Sequence, residues 1–118
     1  MTEIILPWPP AELSPNSRCH WYAKARAAKK IKGDCWALTK ASGAKVEHDG
    51  KIPLRVTFRP PSKARHDLDN ALARAKSALD GVALALGVDD VWFFLMLEIG
   101  EPLKGGAVIV KLMNGDGE

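Results

Sequence analysis

Ile52-Pro53-Leu54-Arg55-Val56-Thr57-Phe58-Arg59, closed by Pro60-Pro61, is the stretch from which the fold can be read. Ile52, Leu54, Val56 and Phe58 alternate with Lys51, Arg55, Thr57 and Arg59, the period of two of a strand with one buried face. Its other face is basic, and the two prolines end it because they bring no donor to a sheet ladder. The loop that follows carries Lys63, Arg65 and His66 into Asp67-Leu68-Asp69-Asn70. From Asp67 to Leu79 the segment is rich in good helix formers, and Leu68, Leu72, Ala75 and Leu79 make an inward stripe. Strand, basic loop and acid-headed helix thus follow one another, with both aspartates in the helix's first turn.

Working outward, Glu3 to Leu6 reads as a short strand stopped by Pro7-Trp8-Pro9-Pro10. The alanine- and lysine-rich segment from about Arg18 to Ser42 reads as a helix, with Ser17 as N-cap, Ser42-Gly43 as stop and Gly33 as a point where it splits or kinks. Trp21, Ala25, Ala28, Cys35 and Trp36 are its expected inward face. Beyond Leu79, Asp80-Gly81 is expected to end or kink the second helix, Val82 to Leu86 to add a turn, and Gly87 to release the chain toward Asp89-Asp90. Val91 to Ile99 is almost continuously apolar, as in a strand covered on both faces, either central in the sheet or part of a subunit interface. Lys104-Gly105-Gly106 predicts a hairpin turn into a last strand, Ala107 to Leu112, and residues 114–118 a loose tail. The order is β-α-β-α-β-β, an α+β fold with a mixed sheet and two main helices.

At 118 residues the chain suits one domain, 1–118, and the composition, 47% hydrophobic and 26% charged, is that of an ordered globular protein. No run approaches the roughly 20 apolar residues needed to span a bilayer, so a cytoplasmic protein without membrane contact is expected. Cys19 and Cys35, placed in one helix about 24 Å apart, are expected as reduced thiols, and Cys19-His20 alone is a poor zinc site. The net charge of +3 is unevenly spread, because Arg18, Lys24, Arg26, Lys29, Lys30 and Lys32 follow one another without an acid. Such a block attracts a polyanion, although a solvated helix face accounts for it equally well.

Asp67 and Asp69 admit two readings. Capping and the positive helix end explain one aspartate well and two adequately, by up to about 1 kcal/mol each. Alternatively, with Lys63, Arg65 and His66 beside them, they form part of a phosphate-directed site. Asp89-Asp90 is good turn chemistry, and it is also a source of a third carboxylate if the strand from Val91 sets Asp90 near the start of the helix. Three converging carboxylates repel one another unless a hard cation such as Mg²⁺ joins them.

Asp67-Leu68-Asp69-Asn70, Leu79-Asp80-Gly81-Val82 and Asp89-Asp90, with Leu6-Pro7-Trp8-Pro9-Pro10 ahead of them, resemble the RusA family of Holliday junction resolvases across roughly residues 4 to 113. The resemblance implies a homodimeric, Mg²⁺-dependent endodeoxyribonuclease, with Mn²⁺ as substitute and no nucleotide cofactor. It would cut four-way DNA junctions symmetrically in recombination and repair. It maps the metal-binding and catalytic acids onto Asp67, Asp69 and Asp90. The family's lysine four residues after the second aspartate is here Ala73; Lys76, on that face of the helix, is the first substitute and Arg74 the second. Arg18, Lys24, Arg26, Lys29, Lys30, Lys63, Arg65 and Arg74 are the expected DNA-binding cations. A junction-binding dimer that has lost catalysis, and a nuclease for other branched DNA, are the alternatives.

Overall fold

The computed structural model describes residues 2–46, 50–63 and 66–113. Strand β1 (Thr2–Pro7) leads through a 3-10 turn at Ala11–Leu13 to helix α1 (Trp21–Ser42). Strand β2 (Ile52–Arg59), helix α2 (Leu68–Leu86), a 3-10 turn at Asp90–Trp92, strand β3 (Phe93–Ile99) and strand β4 (Ala107–Leu112) follow. The sheet order is β1-β4-β2-β3. β4 is antiparallel to both of its neighbours, while β2 and β3 are parallel. The α+β fold with a mixed sheet and two helices is therefore as the sequence predicts.

Alternation in the strands decides the layers. Ile4, Leu6, Ile52, Leu54, Val56, Phe58, Val108, Val110 and Leu112 are buried beneath the helices. Arg55 and Ile5 point from the other face. β1, β2 and β3 share one direction, so each helix connecting two of them runs back against the strands and the helices lie side by side with a common sense. Both helices consequently begin where the parallel strands end. At that end Ser14 Oγ donates to Asn70 Oδ1 at 3.3 Å, tying the approach to α1 to the first turn of α2.

Several expectations are corrected. α1 begins at Trp21 and its N-cap is His20, whose Nδ1 accepts from the Tyr22 amide at 3.1 Å, so Cys19 precedes the helix. The helix runs unbroken through Gly33. Its inward stripe is Ile31, Cys35 and Thr39, spaced by four, and Trp21 is 71% exposed. Of the positions expected inside, only Cys35 is fully buried. Burying Thr39 costs little because its hydroxyl donates to the Cys35 carbonyl at 2.7 Å.

α2 is also unbroken, ending on Gly87 at φ 73°. Gly81 is neither a stop nor a kink but the crossing point of the two helices. A Cβ there would come within 3.1 Å of the Trp36 amide nitrogen and closer still to the Lys32 carbonyl oxygen. Only glycine lets the two backbones approach so near.

β3 is an edge strand, not a central one, and its residues are at most half-buried. Nor do β3 and β4 form a hairpin. The chain crosses the end of β2, where the Gly100 amide donates to Phe58 O at 2.8 Å and the Leu103 amide to Pro60 O at 2.9 Å, and β4 inserts between β1 and β2.

Candidate active site

Asp67 is the N-cap of α2. Its backbone is extended and its Oδ1 accepts from the Asp69 amide at 3.0 Å. Asp69 stands exposed in the first turn, where the helix dipole favours negative charge. The capping reading is therefore correct for Asp67. It leaves one Asp67 oxygen and the Asp69 carboxylate turned outward.

Asp90 lies elsewhere. Asp89 caps the 3-10 turn by accepting from the Val91 amide at 3.0 Å, and Asp90 follows it. The Asp90 carboxyl is held above the usual carboxylate range, first by a hydrogen bond with Asp89, then by partial desolvation and by the hydrogen bond and like charge of Asp80. Asp80 is eleven residues, about 16 Å along the axis, beyond Asp69. The expectation that Asp90 reaches the start of α2 is thus corrected. A helix between parallel strands starts where the first ends and finishes where the second begins, so a residue just before β3 meets the later turns of α2. Among the described residues, no three His, Cys, Asp or Glu side chains converge as the ligands of one metal ion.

Lys76 and Asp90 do come together. With Leu72, Leu79, Asp80, Phe93 and Leu95 they line a cleft of about 210 Å³ between α2 and β3. Asp80 is the functional candidate that sequence reasoning passed over. Its signal was spacing: Asp69, Lys76 and Asp80, at i, i+7 and i+11, fall on one face of α2.

The cations divide in the same way. Arg18, Arg26, Lys29 and Lys63 are exposed and Lys24 is half-buried. The Arg26 guanidinium lies 4.8 Å from the centre of the Tyr22 ring. Lys30 is engaged by Asp34 at 2.8 Å, which raises its pKa through that hydrogen bond and charge. Arg74 is turned inward, donating from Nη2 to the Pro9 carbonyl at 2.5 Å and lying 5.7 Å from the Trp8 ring. Desolvation lowers its pKa, opposed by the charge of Glu12. It bolts the Trp8-Pro9-Pro10 loop onto α2. Arg65 lies outside the described residues. His66 meets the edge of Trp8 at 5.9 Å, its Nε2 shielded from solvent without a hydrogen-bond partner among the described residues.

Cys19 and Cys35 are both free thiols, and burial pushes the Cys35 thiol up to about 12. Among the described residues no helix is long and apolar enough to cross a membrane.

No protein-family model matches the chain. An uncharacterized protein of Xylella fastidiosa (strain Temecula1) is 35% identical over 118 residues, an alignment covering 98% of this chain and 77% of the relative. Identity at that level over nearly the whole chain places this protein in the same family as that uncharacterized Xylella protein.

Proposed function

We propose that the protein is a divalent-metal-dependent endodeoxyribonuclease of the RusA type, which acts as a homodimer on four-way DNA junctions in recombination and repair. The observation that carries this reading is the acidic pair Asp67–Asp69 at the positive end of α2. That is the end of the molecule where α1 also begins, with Arg18, Arg26, Lys29 and Lys63 exposed. The cations would hold the DNA through its phosphates, a contact that positions the substrate without reading its sequence.

The Mg²⁺ that the resemblance implies, with Mn²⁺ as substitute, does not fit the residues of one protomer, because Asp90 stands with Asp80 rather than with Asp67 and Asp69. The acids of a single chain are therefore two half-sets, one at the head of α2 and one in the cleft beside Lys76. That Lys76 lines the same cleft as Asp90 supports it as the cation that meets a phosphate there. With Arg74 spent on Pro9, Lys76 is the better substitute for the lysine replaced by Ala73.

A synthetic four-way junction incubated with the purified protein tests the proposal. Symmetrical cutting is expected in Mg²⁺ and not in EDTA, with Asp69→Asn abolishing cutting while binding persists. Tight binding without a nick in Mg²⁺ or Mn²⁺ would refute the enzyme. A second reading, a junction-binding dimer without catalysis, is favoured by two specific features: Ala73, and the distance of Asp90 from the helix start. That refuting result is the one it predicts. Cutting of flaps or other branches in preference to the four-way junction, at equal concentrations, would instead redefine the substrate.

A further inference from the structure

We propose that the aromatic patch on the first turns of α1 is a stacking platform for unpaired DNA bases: Trp21 and Tyr22 take the bases, and the neighbouring cations take the strand's phosphates. The inference rests on the nuclease reading, which supplies DNA as the partner, and adds the part of the branch point that the protein grips.

The rings are exposed and contiguous. Trp21 is 71% exposed, the most of the four tryptophans, and Tyr22 57%. The His20 and Trp21 rings lie 5.6 Å apart with their planes tilted by 34°, and Trp21 meets Tyr22 edge to face at 5.7 Å. Single apolar side chains are normal on a surface, whereas a contiguous patch marks a contact. The patch is also held in place. Ser17 Oγ accepts from the Cys19 amide at 3.3 Å and His20 Nδ1 from the Tyr22 amide at 3.1 Å, so the backbone carrying the rings is fixed before a ligand arrives.

Charge identifies the ligand. From Arg18 to Lys32 the chain has six Lys and Arg and no acid. Arg18, Arg26 and Lys29 of this segment are exposed, and the Arg26 guanidinium lies 4.8 Å from the centre of the Tyr22 ring. An apolar protein surface laid on the rings would strip water from these cations without pairing them. A nucleic-acid strand meets both demands, because its phosphates pair with the cations while its bases, each with a π-face, stack on the rings. The interior of a duplex offers only phosphates to this surface, since its bases are stacked on one another. Bases freed at a branch point are what the rings can take, and stacking on them offsets the loss of stacking in the duplex.

The same surface leads toward the acids. Arg26 also lines a cleft of about 420 Å³ between α1 and the loop after β1, with Trp8, Pro10, Ala23, Ala27 and Ile31 among its walls. Its charges cancel, Arg26 against Glu12 and Lys30 against Asp34, so it admits a neutral base and leaves phosphates to the cations outside. Trp8 meets the His66 ring at 5.9 Å, and His66 directly precedes Asp67. The helix crossing at Gly81 lies about 20 Å along α2 from Leu68 and about 20 Å along α1 from Trp21, so the two helices start level. A strand splayed at the branch point therefore meets rings, Arg26 and the cleft on the side of the molecule where Asp67 and Asp69 stand.

Fluorescence anisotropy in EDTA tests this, on a labelled thymidine oligonucleotide of about 20 nucleotides, longer than the roughly 4–16 that such a surface covers, and on a blunt duplex of equal length. Trp21→Ala and Tyr22→Ala should each weaken single-strand binding by about tenfold and duplex binding by less than about twofold. Trp21→Phe, which keeps a ring, should bind the single strand within about threefold of the wild type. In all three the slope of log binding constant against log salt should be unchanged, because no cation is removed. Both side chains are exposed, so melting followed by circular dichroism should match the wild type. Equal losses on single strand and duplex, or no loss on either, overturn the platform, as does a wild type that binds the duplex alone. If Trp21→Ala turns a dimer into a monomer in sedimentation while single-strand affinity is kept, the rings pack against a second copy and the platform is wrong. The assay needs neither metal nor cutting, so it separates the two readings. A wild type that cuts four-way junctions, with ring variants that bind the single strand as it does, leaves the nuclease and removes the platform. Ring-dependent single-strand binding by a wild type that cuts no junction leaves the platform and removes the nuclease.

Discussion

Gly81→Ala is expected to destabilise the protein, although glycine to alanine inside a helix ordinarily gains about 1 kcal/mol. The new Cβ would stand 3.1 Å from the Lys32 carbonyl carbon and the Trp36 amide nitrogen, and nearer still to the Lys32 oxygen. All three atoms are α1 backbone, which has no rotamer through which to retreat, so the helices must separate. Overpacking costs about 1–3 kcal/mol, and a backbone obstacle belongs at the upper end of that range. After subtraction of the propensity gain, the expected net loss is about 2 kcal/mol, a fall in Tm of about 8 °C for a chain of this size. Gly33→Ala is the internal control. It lies in α1, is exposed, and a Cβ there meets nothing within 4 Å. That substitution should raise Tm by up to about 4 °C through propensity alone. Thermal unfolding followed by circular dichroism compares the two. A Gly81→Ala protein melting at or above the wild type would show that the helices do not touch at this residue.

Three further outcomes follow from the side-chain placements. Lys29→Ala should reduce the slope of log binding constant against log salt by about 1 on branched DNA, while Arg74→Ala should leave that slope unchanged and cost about 1–3 kcal/mol of stability, because Arg74 is bonded to Pro9; a slope change at Arg74 would put its guanidinium on the DNA. Of the two thiols, Cys19 should react with a disulfide reagent at pH 8 in the native protein, and Cys35, buried and with its pKa pushed up to about 12, only on unfolding. Rapid native labelling of both would refute the burial of Cys35. Glu12→Gln should leave Arg74 in place, since the Pro9 carbonyl is its hydrogen-bond partner, and thermal unfolding should show a loss of stability below about 1 kcal/mol, a shift in Tm under about 4 °C.

The parts of the fold legible in the sequence were those in which hydrophobic period and local propensity agree. β2 shows strict alternation, and in α2 the stripe Leu68, Leu72, Ala75 and Leu79 packs on the core as its spacing predicts. α1 was misread because its buried stripe is short and includes Thr39, a polar residue whose hydrogen bond is met within its own helix. Its tryptophans, which hydrophobicity assigns to the interior, are exposed instead. Gly81 was misread because the sequence of one helix does not reveal where another will cross it. The apolar run around β3 was ambiguous for a related reason: a strand in the middle of a sheet and a strand at its edge can have the same composition.

The site was legible residue by residue but not as an arrangement. That Asp67 and Asp69 share a helix turn follows from their spacing, and so does the alignment of Lys76 and Asp80 with Asp69. The position of Asp90 depends on sheet order, which the linear sequence does not state. Once β2 and β3 are known to be parallel neighbours, the result is forced. The connecting helix must start at one end of the strands and finish at the other, so acids at its head and an acid just before the next strand lie at opposite ends of the unit. Within the protomer, β4 is the reversed strand, and it is placed between β1 and β2, away from the cleft. The separation of Asp90 from Asp67 and Asp69 is therefore a property of the sheet order and not of side-chain rotamers.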